Sequence, residues 1–280
     1  MNDIVRFLQN TVLRPLGYLA VEDYVKPWSR QPYAKLGEDA ILAGLLGQVP
    51  GLPKTYVDIG AADGVRGSNT ALLADRGWRG WAFEMDKASF RQLALQYEKK
   101  PDVTLLNARI TPENVLDLFR GLEIPAKPGV LSLDIDSYDL FVLQKILSRH
   151  QPGVLIAEIN EKIPPPAAFA VKYRPDHVWA GDHFFGASLS AFASLLKGRY
   201  AIHRLEYNNV FFVRRDLSSK VETQDAVSAY DRGFRDRSDR AEKFPWNADV
   251  EPIIQCRDPR ELRRKIAAHF SKYRGRFLLR

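Results

Sequence analysis

The sequence predicts an α/β fold: a doubly wound, mostly parallel sheet of seven strands that ends in an antiparallel hairpin. Three observations lead there. Short runs rich in β-branched and aromatic residues alternate with segments of helical period between Thr55 and Ile159. The first run ends in a glycine-bearing turn, Asp58-Ile59-Gly60-Ala61-Ala62-Asp63-Gly64. Once the alternation stops, two further runs are joined by only Tyr207-Asn208-Asn209, a connection too short for a parallel crossover.

Each element has its own warrant. Glu38 to Leu46 carries Ala40, Ile41, Leu45 and Leu46 at helical spacing, stopped by Gly47 and Pro50-Gly51-Leu52-Pro53. Tyr56, Val57 and Ile59 favour an extended chain, and Ser68 to Arg76 reads as a helix with Leu72 and Leu73 inward, closed by Gly77. Gly80 to Met85 is a second strand that ends its apolar run at Glu84, and Lys87 to Lys99 a helix. Val103 to Ala108 is a third strand, and Pro112 to Arg120 a helix with proline in its first turn. Val130 to Asp134 and Val154 to Ile159 are strands four and five, with Tyr138 to His150 as the helix between them. From Asn160 to Gly186, with Pro164, Pro165 and Pro166, a loop is expected. Ser188 to Lys197 returns to helix, and Tyr200–Glu206 and Val210–Arg214 form the hairpin at the sheet edge. Near the C-terminus, Asp258 as N-cap, Pro259 at N1 and Glu261 at N3 announce a helix lined by Leu262, Ile266, Phe270 and Tyr273. The expected organisation is a helical lead-in over 1–36, a main domain over 37–215 and a charged, basic helical extension over 216–280.

Composition narrows the function classes. A hydrophobic fraction of 45% in 280 residues supports a sizeable core. The single cysteine, Cys256, excludes an internal disulfide framework and a cysteine-cluster metal site, and fits a cytoplasmic location. No apolar run approaches the roughly 20 residues of a membrane span. The N-terminus is interrupted by Asp3, Arg6, Asn10 and Arg14, unlike a signal peptide; Ile4, Val5, Leu8, Val12 and Leu13 instead line one helix face, for packing on the domain or for peripheral membrane contact. The net charge of +7 is concentrated late: from Arg214 onward there are 17 Lys and Arg against 11 Asp and Glu. Such a tail attracts membranes, nucleic acids or anionic substrates, or forms a solvated surface, because acids are interspersed among the bases.

The glycine turn departs from the dinucleotide fingerprint, since Ala62 stands at its second glycine position and Gly67 comes one residue late. Gly60 and Gly64 still allow a tight turn and a close ligand approach, and Asp58 lies near the carboxyl end of a strand, where open α/β sheets bind ligands. Glu84 follows Gly60 by roughly two dozen residues, near the spacing of ribose-binding acids in such sheets, and a carboxylate accepts from both ribose hydroxyls.

Several motifs in order now carry a resemblance: Gly37-Glu38-Asp39, Asp58 to Gly64, Ser68-Asn69-Thr70, Gly77 to Glu84, Leu131 to Asp139, Phe185-Gly186-Ala187-Ser188-Leu189 and Asn209 to Arg214. Together they resemble the FkbM-type S-adenosylmethionine (SAM)-dependent methyltransferases over roughly residues 35 to 215. The resemblance implies the Rossmann-like class I SAM methyltransferase fold, SAM as cofactor, and methyl transfer, usually to oxygen, on a sugar, polyketide, lipid or other small or glycan-like acceptor. It implies cofactor contacts at Asp58, Gly60, Ala61, Asp63, Gly64, Ser68 and Asn69 in the first turn, at Glu84 and Met85 after strand two, at Asn107 and Ala108 beside the adenine, and at Asp134.

For the chemistry, Asp134, Asp136 and Asp139 face Glu158 and Asn160 across the ends of strands four and five. Asp134, Glu158 and Asn160 offer the oxygen ligands of a hard cation such as Mg²⁺, which lowers the pKa of a bound hydroxyl. Alternatively, Asp134 and Asp136 bind the SAM amino group and shape the loop. Of the loop histidines His177 and His183, the second is the expected base, with Asp182 beside it. Tyr173, Trp179 and Phe184 are candidates to wall an acceptor pocket. Two other readings remain at this stage: a nucleic-acid methyltransferase using the basic tail, although no recognisable RNA-binding module accompanies it, and a SAM-binding or membrane-docking protein without turnover.

Overall fold

The computed structural model describes residues 33–280, so the expected N-terminal amphipathic face and most of the lead-in lie outside the described residues. Helix α1 (Glu38–Gln48) precedes strand β1 (Thr55–Ile59). The wound region follows as α2 (Ala71–Asp75), β2 (Arg79–Glu84), α3 (Lys87–Gln96), β3 (Val103–Asn107), α4 (Val115–Gly121), β4 (Val130–Leu133), α5 (Asp139–Ile146) and β5 (Val154–Glu158). Next come β6 (Phe169–Val171), α6 (Leu189–Leu196) and the hairpin β7 (Tyr200–Glu206) and β8 (Asn209–Arg214). Beyond the hairpin lie α7 (Ala226–Tyr230), α8 (Arg240–Lys243), α9 (Glu251–Ile254), α10 (Pro259–His269) and β9 (Phe277–Leu279).

The large sheet has the order β3-β2-β1-β4-β5-β8-β7, with β8 antiparallel to β5 and to β7 and all other pairs parallel. This is the order of the class I SAM methyltransferase fold, as the sequence predicts. It reverses direction between β1 and β4, which creates a crevice beyond their carboxyl ends. The registers are in step there: Ile59 pairs with Phe83 on one side and Leu133 on the other, and Leu133 with Ala157. The residues just past these positions, Gly60, Glu84, Asp134 and Glu158, therefore converge.

Strand alternation divides the core. Val57, Ile59, Trp81, Phe83, Leu131 and Leu133 pack on one face with α4, α5 and α6, while Tyr56, Ala82, Val130 and Ile156 pack on the other with α1 and α2. Residues 33–280 form one compact unit. The stretch expected as an extension shares its core, because Tyr230, Phe234, Phe244, Leu262 and Ile266 join the first cluster.

Several boundaries differ from expectation for local reasons. Helix α4 begins at Val115 rather than Pro112, because Asn114 Oδ1 accepts from Thr111 N–H (2.8 Å) and ties residues 111–114 into a turn. The helices expected to reach Lys99 and His150 stop at Gln96 and Ile146. Asn209 belongs to β8, leaving Tyr207 and Asn208 as a two-residue hairpin loop. The stretch expected as pure loop contains β6, which pairs antiparallel with β9. The three-residue apolar runs of these two strands are too short to announce them. The C-terminal helix starts as expected: Asp258 Oδ1 accepts from Glu261 N–H at 2.7 Å, with Pro259 in the first turn.

Candidate functional site

Three adjoining lobes open at the carboxyl ends of β1, β2, β4 and β5. The first, about 310 Å³, is lined by Gly60, Glu84, Met85, Ala108, Asp134 and Tyr138 among others. The second, about 370 Å³, is lined by Asp58, Ser68, Asn69, Asp134, Glu158 and Asn209. The third, about 730 Å³, is lined by Asp136, Glu158, Lys162, Trp179, His183 and Trp246. Asp134 borders lobes one and two, Asp136 one and three, and Glu158 two and three. The three carboxylates thus stand at the junction of the lobes.

The turn after β1 is built for close approach. Gly60 has φ +89°, and a Cβ there would lie 1.6 Å from the Asp134 carbonyl oxygen. Gly64, at φ +76°, packs under Leu93 and Tyr97, and its carbonyl accepts from the Tyr97 hydroxyl at 3.1 Å. Ala62 is held at φ +48°, a left-handed geometry that an alanine rarely adopts. Its N–H donates to Glu84 Oε2 at 2.9 Å while Asp86 N–H donates to Oε1 at 2.6 Å. Glu84 thereby fixes the strained turn and borders the first lobe, with lone pairs left to accept from a ligand. Asp136 is also left-handed, at φ +54°, so two strained residues face the same lobe.

In the second lobe Asp58 accepts from Thr70 Oγ1 at 2.7 Å. Burial pushes its carboxyl up to about 6 against that bond, with the Glu84 charge adding to the rise. Ser68 Oγ accepts from Thr70 and Ala71 N–H and starts α2. Asn69 Nδ2 reaches Asn209 Oδ1 at 3.3 Å, while Asn69 Oδ1 is buried without a partner.

At the junction, one oxygen from each of Asp134, Asp136 and Glu158 lies within 4.8 Å of the others. Burial raises all three carboxyls; for Asp134 the Asp136 charge adds to it, and for Glu158 the charges of Asp134 and Asp136 do. Crowded in this way the three carboxylates oppose one another's ionisation, and a proton shared among them relieves the repulsion. Such a set can share protons, bind an ammonium group or hold a hard cation.

Other expected site residues are placed differently. Asp63 Oδ1 accepts from Val65 and Arg66 N–H, and its Oδ2 pairs with the Arg66 guanidinium at 2.7 Å; neither Asp63 nor Gly64 lines a lobe. Asn107 Nδ2 donates to the carbonyls of Glu84 (2.8 Å) and Met85 (3.2 Å), bracing the turn after β2 instead of lining the first lobe. Asn160 is fully buried and donates to the carbonyls of His183 and Phe185, both at 2.9 Å, so it anchors the loop, and Asp136 stands beside Asp134 and Glu158 in its place. Ala61 lines the second lobe and Met85 and Ala108 the first.

His183 Nε2 lies 3.0 Å from Asp249 Oδ1, on the wall of the third lobe. Asp182 lines the same lobe but is engaged elsewhere: it accepts from Tyr273 Oη, from Lys272 Nζ at 3.0 Å and from Phe184 N–H, which together hold its carboxyl below the usual range against its partial burial. His177 instead lines the first lobe, where burial, then Arg276 and Arg109, depress its pKa. Trp179 borders lobes one and three, whereas Tyr173 donates to Glu113 outside them and Phe184 stacks on Tyr273. Arg109, which follows the third strand beside Asn107 at the place expected for adenine or at the surface, lines the first lobe, and its guanidinium reaches Tyr138 Oη (3.1 Å) and the His177 carbonyl and so fastens the loop to that lobe. Sequence reasoning missed Asp249 and Trp246, more than 60 residues away from His183 with no local motif to flag them.

No protein-family model matches the chain, and no curated protein matches it. Solved structures resemble it in fold. The N-terminal domain of EvdMO1, crystallised in the presence of SAH and D-fucose, aligns at TM-score 0.44 and 13% identity, over 77% of this chain and 97% of that one. Magnesium protoporphyrin IX methyltransferase (ChlM) from Synechocystis PCC 6803 with bound SAH aligns at TM-score 0.42 and 12% identity, over 75% and 98%. Monomeric WbdD aligns at TM-score 0.40 and 14% identity over 66% of this chain, which spans only 42% of that protein.

Proposed function

We propose that the chain is a SAM-dependent O-methyltransferase of FkbM type acting on a hydroxyl of a small or glycan-like acceptor. The observation that carries this reading is the three-lobed cleft with Glu84 at one end, Asp58 and Ser68 at another, and the acidic junction between them. Glu84 binds the ribose hydroxyls in the first lobe, and Ala108, Ile110 and Tyr138 border the adenine. Asp58, Ser68, Asn69 and Asp134 take the amino acid end in the second. The acceptor enters the third lobe between Trp179 and Trp246.

Bound SAM supplies an electrophilic methyl group on sulfur. His183 takes the acceptor hydroxyl proton as the oxygen–carbon bond forms and the carbon–sulfur bond breaks, and Asp249 orients and stabilises the imidazolium. The junction carboxylates hold the acceptor in line. The crowding of Asp134, Asp136 and Glu158 suits a divalent cation such as Mg²⁺, which would make that hydroxyl more acidic.

Calorimetry with SAM and SAH tests the cofactor assignment: binding of both, weakened by Glu84→Ala, is expected, and absence of binding refutes it. Chelation that leaves methyl transfer unchanged removes the metal from the scheme while leaving SAM in place.

A further inference from the structure

The C-terminal segment carries more charge than its length explains. Residues 259–280 hold eight Lys and Arg against one acid, Glu261, a net +7 that equals the charge of the whole chain. Lys265 pairs with Glu261 and Lys272 with Asp182, but most of its arginines are not neutralised by neighbours. Among the described residues, Arg260, Arg263, Arg264 and Arg280 are exposed and their side chains make no ion pair or hydrogen bond, and Arg274 is in the same condition. Ion pairs elsewhere on the chain are common, so the bare arginines are a local feature rather than a general one.

The same segment is fastened to the loop that borders the cleft. Strand β9 pairs with β6, Lys272 Nζ and Tyr273 Oη hold Asp182, and Arg276 reaches the His177 ring at 3.2 Å. At the C-terminal end of α10, just before these residues, the His269 ring lies 5.5 Å from that of His183. The loop so held presents Val178 and Trp179, 61% and 39% exposed, on the cleft. Met85 and Trp246, 54% and 58% exposed, lie on other walls of it. Four of the six large hydrophobic side chains that stand exposed among the described residues therefore surround the mouth of the cleft. Arg274 lies between Lys272 and Arg276, the two residues that grip the loop bearing Val178 and Trp179, so an unpaired arginine and exposed apolar side chains share this region, the pattern that binds a bilayer interface.

We propose that this face docks the protein on an anionic lipid surface, with the cleft mouth toward the headgroups, so that the acceptor is presented from the surface. No helix among the described residues is long and apolar enough to cross a membrane, and the contact proposed is with the bilayer surface. The interior of the third lobe favours a lipid surface over a nucleic acid. Asp136, Glu158, Glu161, Asp182 and Asp249 all line it, and a phosphate backbone drawn toward the arginines would have to lie across them. A headgroup hydroxyl entering alone, above phosphates left at the rim, avoids that repulsion.

The test is co-sedimentation of the full chain with phosphatidylcholine vesicles made with and without phosphatidylserine, in the absence of SAM. Binding to the phosphatidylserine vesicles alone, released at high ionic strength, is expected. Each arginine near the surface is worth about fivefold in partitioning, so neutralising Arg263, Arg264 and Arg274 to Gln lowers it by roughly 100-fold. Val178→Asp provides a second variant, expected to weaken binding without touching a charge pair. Far-UV circular dichroism and calorimetry with SAM monitor the fold and the cofactor site separately, so that failure of docking is distinguishable from failure of the methyltransferase assignment. Equal sedimentation with both vesicle types, undiminished binding by the triple variant, or tighter binding to RNA than to vesicles at the same salt overturns the proposal.

Discussion

Gly60→Ala is the substitution whose cost the structure defines best. The added Cβ would stand 1.6 Å from the Asp134 carbonyl oxygen and 2.7 Å from its carbon, and a contact of at least 3.4 Å requires one backbone to retreat by about 1.8 Å. Two penalties add: about 1–2 kcal/mol for a side chain at φ +89°, and about 1–3 kcal/mol for overpacking against rigid backbone. A loss of roughly 2–5 kcal/mol lowers Tm by roughly 5–15 °C in a domain of this size. Gly198→Ala separates the two penalties, since Gly198 also has positive φ, +81°, but nothing within 4 Å of its Cβ position. It should lose only the first. The retreating backbone carries Asp134, so affinity for SAM should fall at least tenfold in Gly60→Ala and stay unchanged in Gly198→Ala, because even 1 Å of misplacement is costly at such a site. Thermal melts and calorimetry on the two variants decide the matter. Equal losses of Tm, or an unweakened cofactor affinity in Gly60→Ala, would refute the reasoning.

Other outcomes follow from the same geometry. Glu84→Gln removes the charge from two backbone hydrogen bonds and leaves an amide donor facing an N–H, so SAM affinity measured by calorimetry should drop roughly 10–100-fold; unchanged affinity places the ribose elsewhere. Asp58 has a carboxyl raised to about 6 in the fold, so its contribution favours the native state at low pH and is lost as pH rises through about 6. Asp58→Asn should therefore melt higher than the wild type near pH 7.5, by up to about 3 kcal/mol of stability, with the gap closing near pH 4; a gap independent of pH contradicts the assignment. His183→Ala should cut kcat by roughly 10²–10⁴-fold with SAM binding preserved, and intact turnover would eliminate His183 as base.

The fold was legible because its signal is local and repeated. Each strand of the wound region is a run of β-branched or aromatic residues bounded by Gly, Pro or a helical stretch, and the short hairpin loop forces the antiparallel ending. The elements that escaped were those whose stability comes from distant partners. Phe169–Val171 is a strand because Phe277–Leu279 pairs with one edge and Ala187 bridges to the other, and Tyr230 and Phe234 sit in a polar stretch yet are fully buried within the first core cluster. The N-capping Asp258, by contrast, was legible because a cap bond spans three residues.

The candidate site divides along the same line. Positions set by strand ends were readable: once β1, β2, β4 and β5 are aligned, Gly60, Glu84, Asp134 and Glu158 must converge whatever the loops do. What spacing could not distinguish was whether a polar side chain just past a strand faces the crevice or repairs the backbone. Asn107 and Asn160 both carry an amide NH₂ group, and near each the chain turns away from the sheet and leaves carbonyl lone pairs for a side chain to fill; the Glu84 carbonyl takes Asn107 in addition to Ala108 N–H. Each amide donates to two carbonyls, Asn107 to Glu84 and Met85, Asn160 to His183 and Phe185. A buried unpaired carbonyl costs more than an optional ligand contact gains, so the backbone takes these donors first. A carboxylate can serve the backbone only by accepting, as Glu84 does; Asp134, Asp136 and Glu158 accept no backbone N–H among the described residues, and although Glu158 takes Asn208 Nδ2 at 2.6 Å, oxygens of all three meet at the junction of the lobes. The acidic junction is thus left facing the cleft, where shared protons, an ammonium group or a hard cation relieve its crowding.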